Sequence, residues 1–449
     1  MFDTVYTMSK RWAWAGLLLL LLVTRFAHLD VLWVEEAYPT AAAREILAGK
    51  MLYRDIWFDK PPLFPVTYLL WGASTGWPLR LAGALFVLLC CWIVSRWAGL
   101  RAALLLAFFL TFWIPSAVMA LTPDLLLLPL HVGAVYLAWR GKPFTAGALG
   151  GIGLLFNAKA IFVLPACLLF NPSPWVVLGF ILPPLLSLTT VPLTDYWQQV
   201  WAWGAAYSAD HPFTNAFALG AQRTANWLGF HAALVVAAIP AFRKDRRLIG
   251  WALLSLFAVC LGARFFPRYY FQLLPALVIA AALGWQDLQK KWRYVALALL
   301  LIPLVRFGPR YVDMYLHHPW RDLAMYEGSS DAAGRIRSLS RPGDTLLVWG
   351  YRPELFPLTG LHAGTRFLDS QPLTGVIADR HLTDSHSTAP ELAAANRKAL
   401  VNTTPTWIVD GLGPYNPALD IRRFGDLVEW FSAYNLVADL PTARIYRRR

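Results

Sequence analysis

The chain has 449 residues, 57% of them apolar and 15% charged; an ordinary soluble domain is about 25% charged. A deficit this large, gathered into long apolar runs, excludes a wholly water-soluble protein and makes lipid the solvent for much of the chain. The net charge of +13 is scattered between apolar segments rather than laid on one polar face, which excludes a nucleic-acid surface and points to membrane topology.

The first apolar run, from Trp12 to Ala27, follows Lys10-Arg11. No small-x-small cleavage site comes after it, so it reads as a retained helix rather than a signal peptide. A spanning helix needs roughly 20 apolar residues, and the predicted spans are 12–28, 79–95, 102–120, 124–139, 144–157, 160–172, 174–193, 226–242, 248–263, 269–285 and 294–308. The short pair 144–157 and 160–172 also suits a tilted or re-entrant hairpin. Many of the 22 Trp lie at the ends of these runs, where amphipathic rings favour the headgroup zone. Cys90, Cys91, Cys167 and Cys260 all fall inside apolar runs without metal-ligand spacing and read as packing residues.

Charge orients the spans. With a cytoplasmic N-terminus, the basic loops 96–101, 140–142, 243–247 and 290–293 all lie on the cytoplasmic side, as the positive-inside rule requires. Segments 30–78 and 194–225 then face outward. The tail, 309–449, has soluble composition. Its β-type runs Thr345–Trp349, Thr406–Val409 and Arg444–Tyr446 alternate with helical stretches at 389–401 and 424–434. The expected architecture is an all-α polytopic domain, 1–308, with eleven spans in the plasma (inner) membrane, followed by a small α/β extracytoplasmic domain, 309–449. The sequence shows no internal repeat and no lipidation motif.

Charges within or against a bilayer are costly, and Glu35, Glu36, Asp55, Asp59, Lys60, Arg80, Asp124, Lys159, Arg264 and Arg268 all map to outward loops or outer helix ends. Sequence-distant acids and bases thus converge on one layer. Glu35 and Glu36 also suit a helix start, where carboxylates complement the dipole, and Asp59-Lys60 suits a local ion pair before the Pro61-Pro62 turn. Together they offer a base for a hydroxyl and a cation for a leaving phosphate.

These residues resemble the C-type membrane glycosyltransferases, in the branch of protein O-mannosyltransferases and the bacterial aminoarabinose transferase. The family pattern Asp-Glu-Ala-x-Tyr, Gly-x-x-x-Tyr, Lys-Pro-Pro-Leu is met by Glu35-Glu36-Ala37-Tyr38, Gly49 to Tyr53 and Lys60-Pro61-Pro62-Leu63. Arg80, Asp124, the segment Gly150 to Lys159, and Arg268-Tyr269 before Leu274-Pro275 follow in family order. The resemblance covers about residues 10–290. It implies a transferase that moves a sugar from a polyprenyl-phosphate carrier to a hydroxyl or amine of a protein, lipid or glycan. Glu35 is then the base, with Asp59 and Asp124 lining the acceptor side. Lys60, Arg80, Lys159 and Arg268, with Tyr269, hold the donor phosphate. The family places Asp where Glu35 stands, which leaves Glu36 as the alternative base. No cofactor is expected, although a carboxylate cluster is also able to hold a divalent ion.

Other positions carry weaker signals. Asn157 reads as a helix cap, His211 as a loop histidine, His317-His318 as a solvated pair, Trp197 to Trp203 as an interfacial belt, and Arg447 to Arg449 as a solvated terminus. Intramembrane charges also suit a transporter or lipid-glycan flippase, but neither repeat halves nor paired broken helices appear.

Overall fold

The computed structural model describes residues 2–449 except 211–214, 319, 321 and 322, with side chains from Arg11 onward. The apolar runs form a bundle of helices, and large side chains such as Leu19, Leu85, Trp92, Leu185 and Phe257 remain exposed on its flanks. Apolar side chains left on the surface of a bundle are matched by hydrocarbon rather than water. Among the described residues, two helices are long and apolar enough to cross a membrane by length and composition, Trp77–Phe109 and Lys290–Tyr315, while five further apolar helices are shorter.

Within Trp77–Phe109 the chain reverses. Ala98 and Gly99 leave helical geometry, and Gly99 has φ of 78°. The Cys91 thiol meets the Ala107 backbone, two positions that a straight helix would hold about 24 Å apart. The segment is therefore two helices folded against each other, turning at the Arg96–Arg101 loop.

Two expected spans change character. The run 102–120 is helical only to Phe109 and then unwinds as far as Pro123, apart from one short turn at Pro115–Val118. Buried side chains take up the freed carbonyls, as they must where water is absent. Tyr311 Oη donates to Thr111 O (2.6 Å), Arg25 donates to Val118 O (2.8 Å) and Met119 O (2.9 Å), and Tyr68 Oη donates to Leu121 O (2.7 Å). The run 226–242 contains a bend of 89° between Ala216–Phe230 and Ala232–Lys244.

Helices Pro143–Leu154 and Pro174–Ser187 pack backbone to backbone. A Cβ at Gly147 would lie 2.0 Å from Val176 O, and one at Gly179 would lie 2.2 Å from Phe144 O. Only glycine permits that approach, the small-residue packing of membrane helices. Helix Leu301–Tyr315 runs beyond the predicted last span.

The C-terminal part is an α/β unit. Its five strands, β1 (Thr345–Trp349), β2 (His362–Ala363), β3 (Trp407–Asp410), β4 (Tyr434–Leu440) and β5 (Ala443–Arg448), form one sheet in the order β2-β1-β3-β5-β4. β1 pairs in parallel with β2 and β3, and β5 is antiparallel to β3 and β4. Alternate residues of β1 face opposite sides. Leu346 and Val348 join the main core, while Leu347 and Trp349 join a second cluster with Leu373, Leu400 and Ile408.

Trp57, from the loop between the first two apolar helices, belongs to that second cluster. Its backbone N–H donates to Arg366 O at 2.6 Å. The loop is thus pinned to the sheet domain by a buried indole. Replacing Trp57 with Ala is expected to destabilise the protein by about 3–5 kcal/mol. Thermal unfolding in detergent and faster limited proteolysis near Arg366 would register the loss.

Candidate active site

The helix Val34–Leu47 follows the first helix, which ends at Phe26, after a short turn and carries two acids in its first turn. Consecutive helical residues point about 100° apart, so only one of them faces any given feature. Glu35 points into a cavity. Glu36 points the other way and is fully buried against Arg80, with Nη2 2.8 Å from Oε2 and Nη1 3.0 Å from Oε1. Leu121 N–H donates to the same carboxylate at 2.8 Å, and Arg80 also donates to the carbonyls of His28, Val31 and Met119. Neither Glu36 nor Arg80 reaches the cavity. Glu36, the alternative base, and Arg80, an expected phosphate contact, thus lie outside the cavity: the two satisfy each other and clamp the unwound segment before Pro123.

The cavity, of about 350 Å³, lies at the end of the bundle opposite the basic loops and against the sheet domain. Among the described residues, six charged ones line it, and all six were expected: Glu35, Asp59, Lys60, Asp124, Lys159 and Arg268. They are arranged as three ion pairs. Arg268 Nη1 lies 2.6 Å from Glu35 Oε1, Lys60 Nζ 2.5 Å from Asp59 Oδ2, and Lys159 Nζ 2.7 Å from Asp124 Oδ1. Arg268 also approaches Asp124, at 3.9 Å, and so stands between two carboxylates.

Local sequence explains each position. Thr122 caps the helix Pro123–Trp139 by accepting from Leu125 N–H, which leaves Asp124 in its first turn, where a carboxylate is favoured by the helix dipole. Asn157 caps the turn carrying Lys159 and also donates to Asp124 at 3.2 Å. Tyr269, the ninth expected residue, lies under Lys159, whose ammonium sits 2.8 Å from the ring centroid. Tyr53 Oη donates to Lys60 O at 2.8 Å and fixes the Lys-Pro-Pro turn.

Other residues of the cavity were not among the expected site residues. Tyr38 stacks on Phe58 with centroids 4.6 Å apart. Trp201 and Tyr207 come from the segment 194–210, which includes a π-helical stretch, Trp197–Ala202. Tyr351 comes from the sheet domain, directly after β1. Tyr38 belongs to the Glu-Glu-Ala-Tyr motif and was legible there; Tyr351 had no local signal. The segment 194–210 is fastened to the sheet domain by Asp195 with Arg366 (3.2 Å), Tyr207 with Asp379 (2.9 Å) and Asp210 with Arg380 (2.5 Å). Arg264 joins this seam by pairing with Asp379 at 2.9 Å and stays outside the cavity. Asp55 pairs with Arg54 at the surface. His211 lies outside the described residues. His318 contacts Asp313 at 3.3 Å.

Asp369, in the sheet domain, also went unread. It is buried and accepts from Gln371 N–H at 2.7 Å. Burial, with the nearby Asp59 carboxylate, pushes its carboxyl up to about 7.

No known family description matches the sequence, and no curated protein matches it. Among solved structures, the chain is similar to ArnT from Cupriavidus metallidurans bound to undecaprenyl phosphate. That match has 17% identity and a TM-score of 0.56 over 96% of this chain and 97% of the other. The same protein in the apo state matches with 15% identity and a TM-score of 0.54 over 99% and 98%.

Two predictions follow from the geometry. Arg80→Ala strands Glu36 as a buried, unpaired charge, so thermal unfolding should show a loss of about 3–5 kcal/mol. For Asp369, a folded-state pKa above the unfolded one means that the folded protein binds the extra proton. Its stabilising contribution is therefore complete below the ordinary carboxyl range and lost as pH rises towards 7. Asp369→Asn keeps the acceptor for Gln371 and should flatten the decline in stability between pH 4 and 7, measured as unfolding temperature against pH. By similarity over nearly the whole length of both chains, this protein has the fold of ArnT.

Proposed function

We propose that the protein is a membrane glycosyltransferase that takes a sugar from a polyprenyl-phosphate carrier and passes it, with inversion, to a hydroxyl or amine. The observation that carries this reading is the cavity itself, where three carboxylates and three cations face one another beneath the sheet domain. The ArnT structure of the same fold holds undecaprenyl phosphate, and a phosphate of that kind suits the cationic side of this cavity. We place the cavity and the sheet domain on the extracytoplasmic side, because the basic loops lie at the other end of the bundle.

In this mechanism the carrier phosphate is held by Lys60 and Arg268. Arg268 pairs with Glu35, so a phosphate that draws the guanidinium away releases the carboxylate. Glu35 then takes the proton of the acceptor hydroxyl as its oxygen attacks the anomeric carbon. The bond from that carbon to the phosphate oxygen breaks on the opposite face. Lys60 and Arg268 neutralise the leaving phosphate, with Lys159 behind them. Asp59 and Asp124 orient the cations and line the acceptor side. The positive charge comes from side chains, and the mechanism calls for no metal ion.

Glu35→Gln should lower transfer from a labelled polyprenyl-phosphate sugar by about 100- to 10,000-fold, the usual range for a lost general base. Lys60→Ala should weaken donor binding and transfer together. Full activity in both variants would refute the assignment, as would movement of labelled carrier across the bilayer without any glycosylated product.

A further inference from the structure

The helix Leu301–Tyr315 bears a second charged feature, separate from the cavity. Arg306, Arg310 and Asp313 stand at intervals of four and three residues, which places them on one helical face. With Ile302, Val305 and Phe230 they line an open groove of about 480 Å³. Arg306 is exposed and Arg310 half-buried, and among the described residues neither has an ion-pair partner. Unpaired guanidinium groups beside lipid-facing apolar side chains need an anionic counterpart or water.

The order of chemistry along the groove is informative. Helices Lys290–Leu299 and Leu301–Tyr315 together form a single apolar span, and its basic start at Lys290 marks one interface. Arg306 lies about 24 Å further along and Asp313 about 35 Å, against a hydrocarbon core of about 30 Å. From the bilayer centre outward, the groove therefore offers apolar side chains, then two guanidinium groups, then a carboxylate. His318 Nδ1 approaches one oxygen of Asp313 at 3.3 Å, and among the described residues the other oxygen accepts no hydrogen bond. Arg310 is held in place by the Trp320 ring, 5.0 Å below it, and Trp320 in turn touches Trp33 at the start of the helix that carries Glu35.

We propose that this groove binds one phospholipid with a primary-amine headgroup, of the phosphatidylethanolamine type. The acyl chains lie on Ile302, Val305 and Phe230, the phosphate bridges Arg306 and Arg310, and the ammonium meets Asp313. A phosphate alone would leave Asp313 as an unfavourable neighbour, whereas an amine one headgroup-length further out converts it into a partner. The lipid supplies a phosphate for the two guanidinium groups and an ammonium for the Asp313 oxygen that His318 does not approach.

The test uses the full chain in phosphatidylcholine nanodiscs doped with equal amounts of phosphatidylethanolamine and phosphatidylglycerol. Native mass spectrometry then counts the lipids retained on each protein. The wild type should retain one phosphatidylethanolamine in about tenfold excess over phosphatidylglycerol, the ratio that one charge-assisted hydrogen bond sustains. Asp313→Asn should bring the two lipids to parity, and the double variant Arg306→Ala/Arg310→Ala should lose both. Equal retention of the two lipids by the wild type would overturn the proposal, as would undiminished phosphatidylethanolamine on the double variant. The wild-type comparison needs no variant to fold. Because retention is counted without any donor sugar, its outcome is independent of the proposed transfer reaction.

Discussion

The Glu36–Arg80 pair, withdrawn entirely from water, is the constraint on which the site depends. An ion pair so deeply buried persists only where its remaining donors and acceptors are satisfied. Here the backbone carbonyls of His28, Val31 and Met119 and the Leu121 N–H complete the set. The pair therefore does more than neutralise charge. It fixes the start of the helix carrying Glu35 against the unwound segment that leads into Asp124, and so sets the relation between two acids of the cavity. Arg25 extends the same system by capping Val118 and Met119.

A second constraint comes from the sheet domain, which is built into the cavity rather than appended to the bundle. Trp57 is buried in the domain's core, Tyr351 lines the cavity, and Asp195, Tyr207 and Asp210 fasten the long loop to it. Asp369 stands behind Asp59 as a carboxyl that burial holds near its titration point at neutral pH. A change in how this domain sits would thus reach the lining of the cavity through groups already in contact.

Much of this was legible in the sequence, and the misses have physical causes. The six charged cavity residues were found because a charge at a helix end in lipid needs a reason, and a consistent topology put all six at one level. That Glu36 and Arg80 lie outside the cavity was not legible, because composition cannot tell which of two adjacent acids faces a cavity; that depends on a helical rotation set by packing. The segment after Phe109 read as a span because apolar residues report burial, not helicity, and the arginine and tyrosines that stabilise the unwound backbone lie far away in sequence. Tyr351 and Asp369 were invisible for a related reason: their contacts bridge more than three hundred residues from the Glu35 region, and no local pattern encodes them.

The matching of the six cavity charges has a consequence for how any phosphate-bearing ligand arrives. With each cation already beside an acid, the six cavity charges project little net field into solution, and long-range attraction of an anion by them is weak. Capture then depends on encounter within the plane of the bilayer, where a lipid-borne ligand is confined and its headgroup is already at the right depth. A soluble phosphate has no such confinement. Under the proposed transfer reaction, the charge-matched cavity acts as a filter for ligands that diffuse in two dimensions, and lipid anchorage becomes part of how the site tells one phosphate from another.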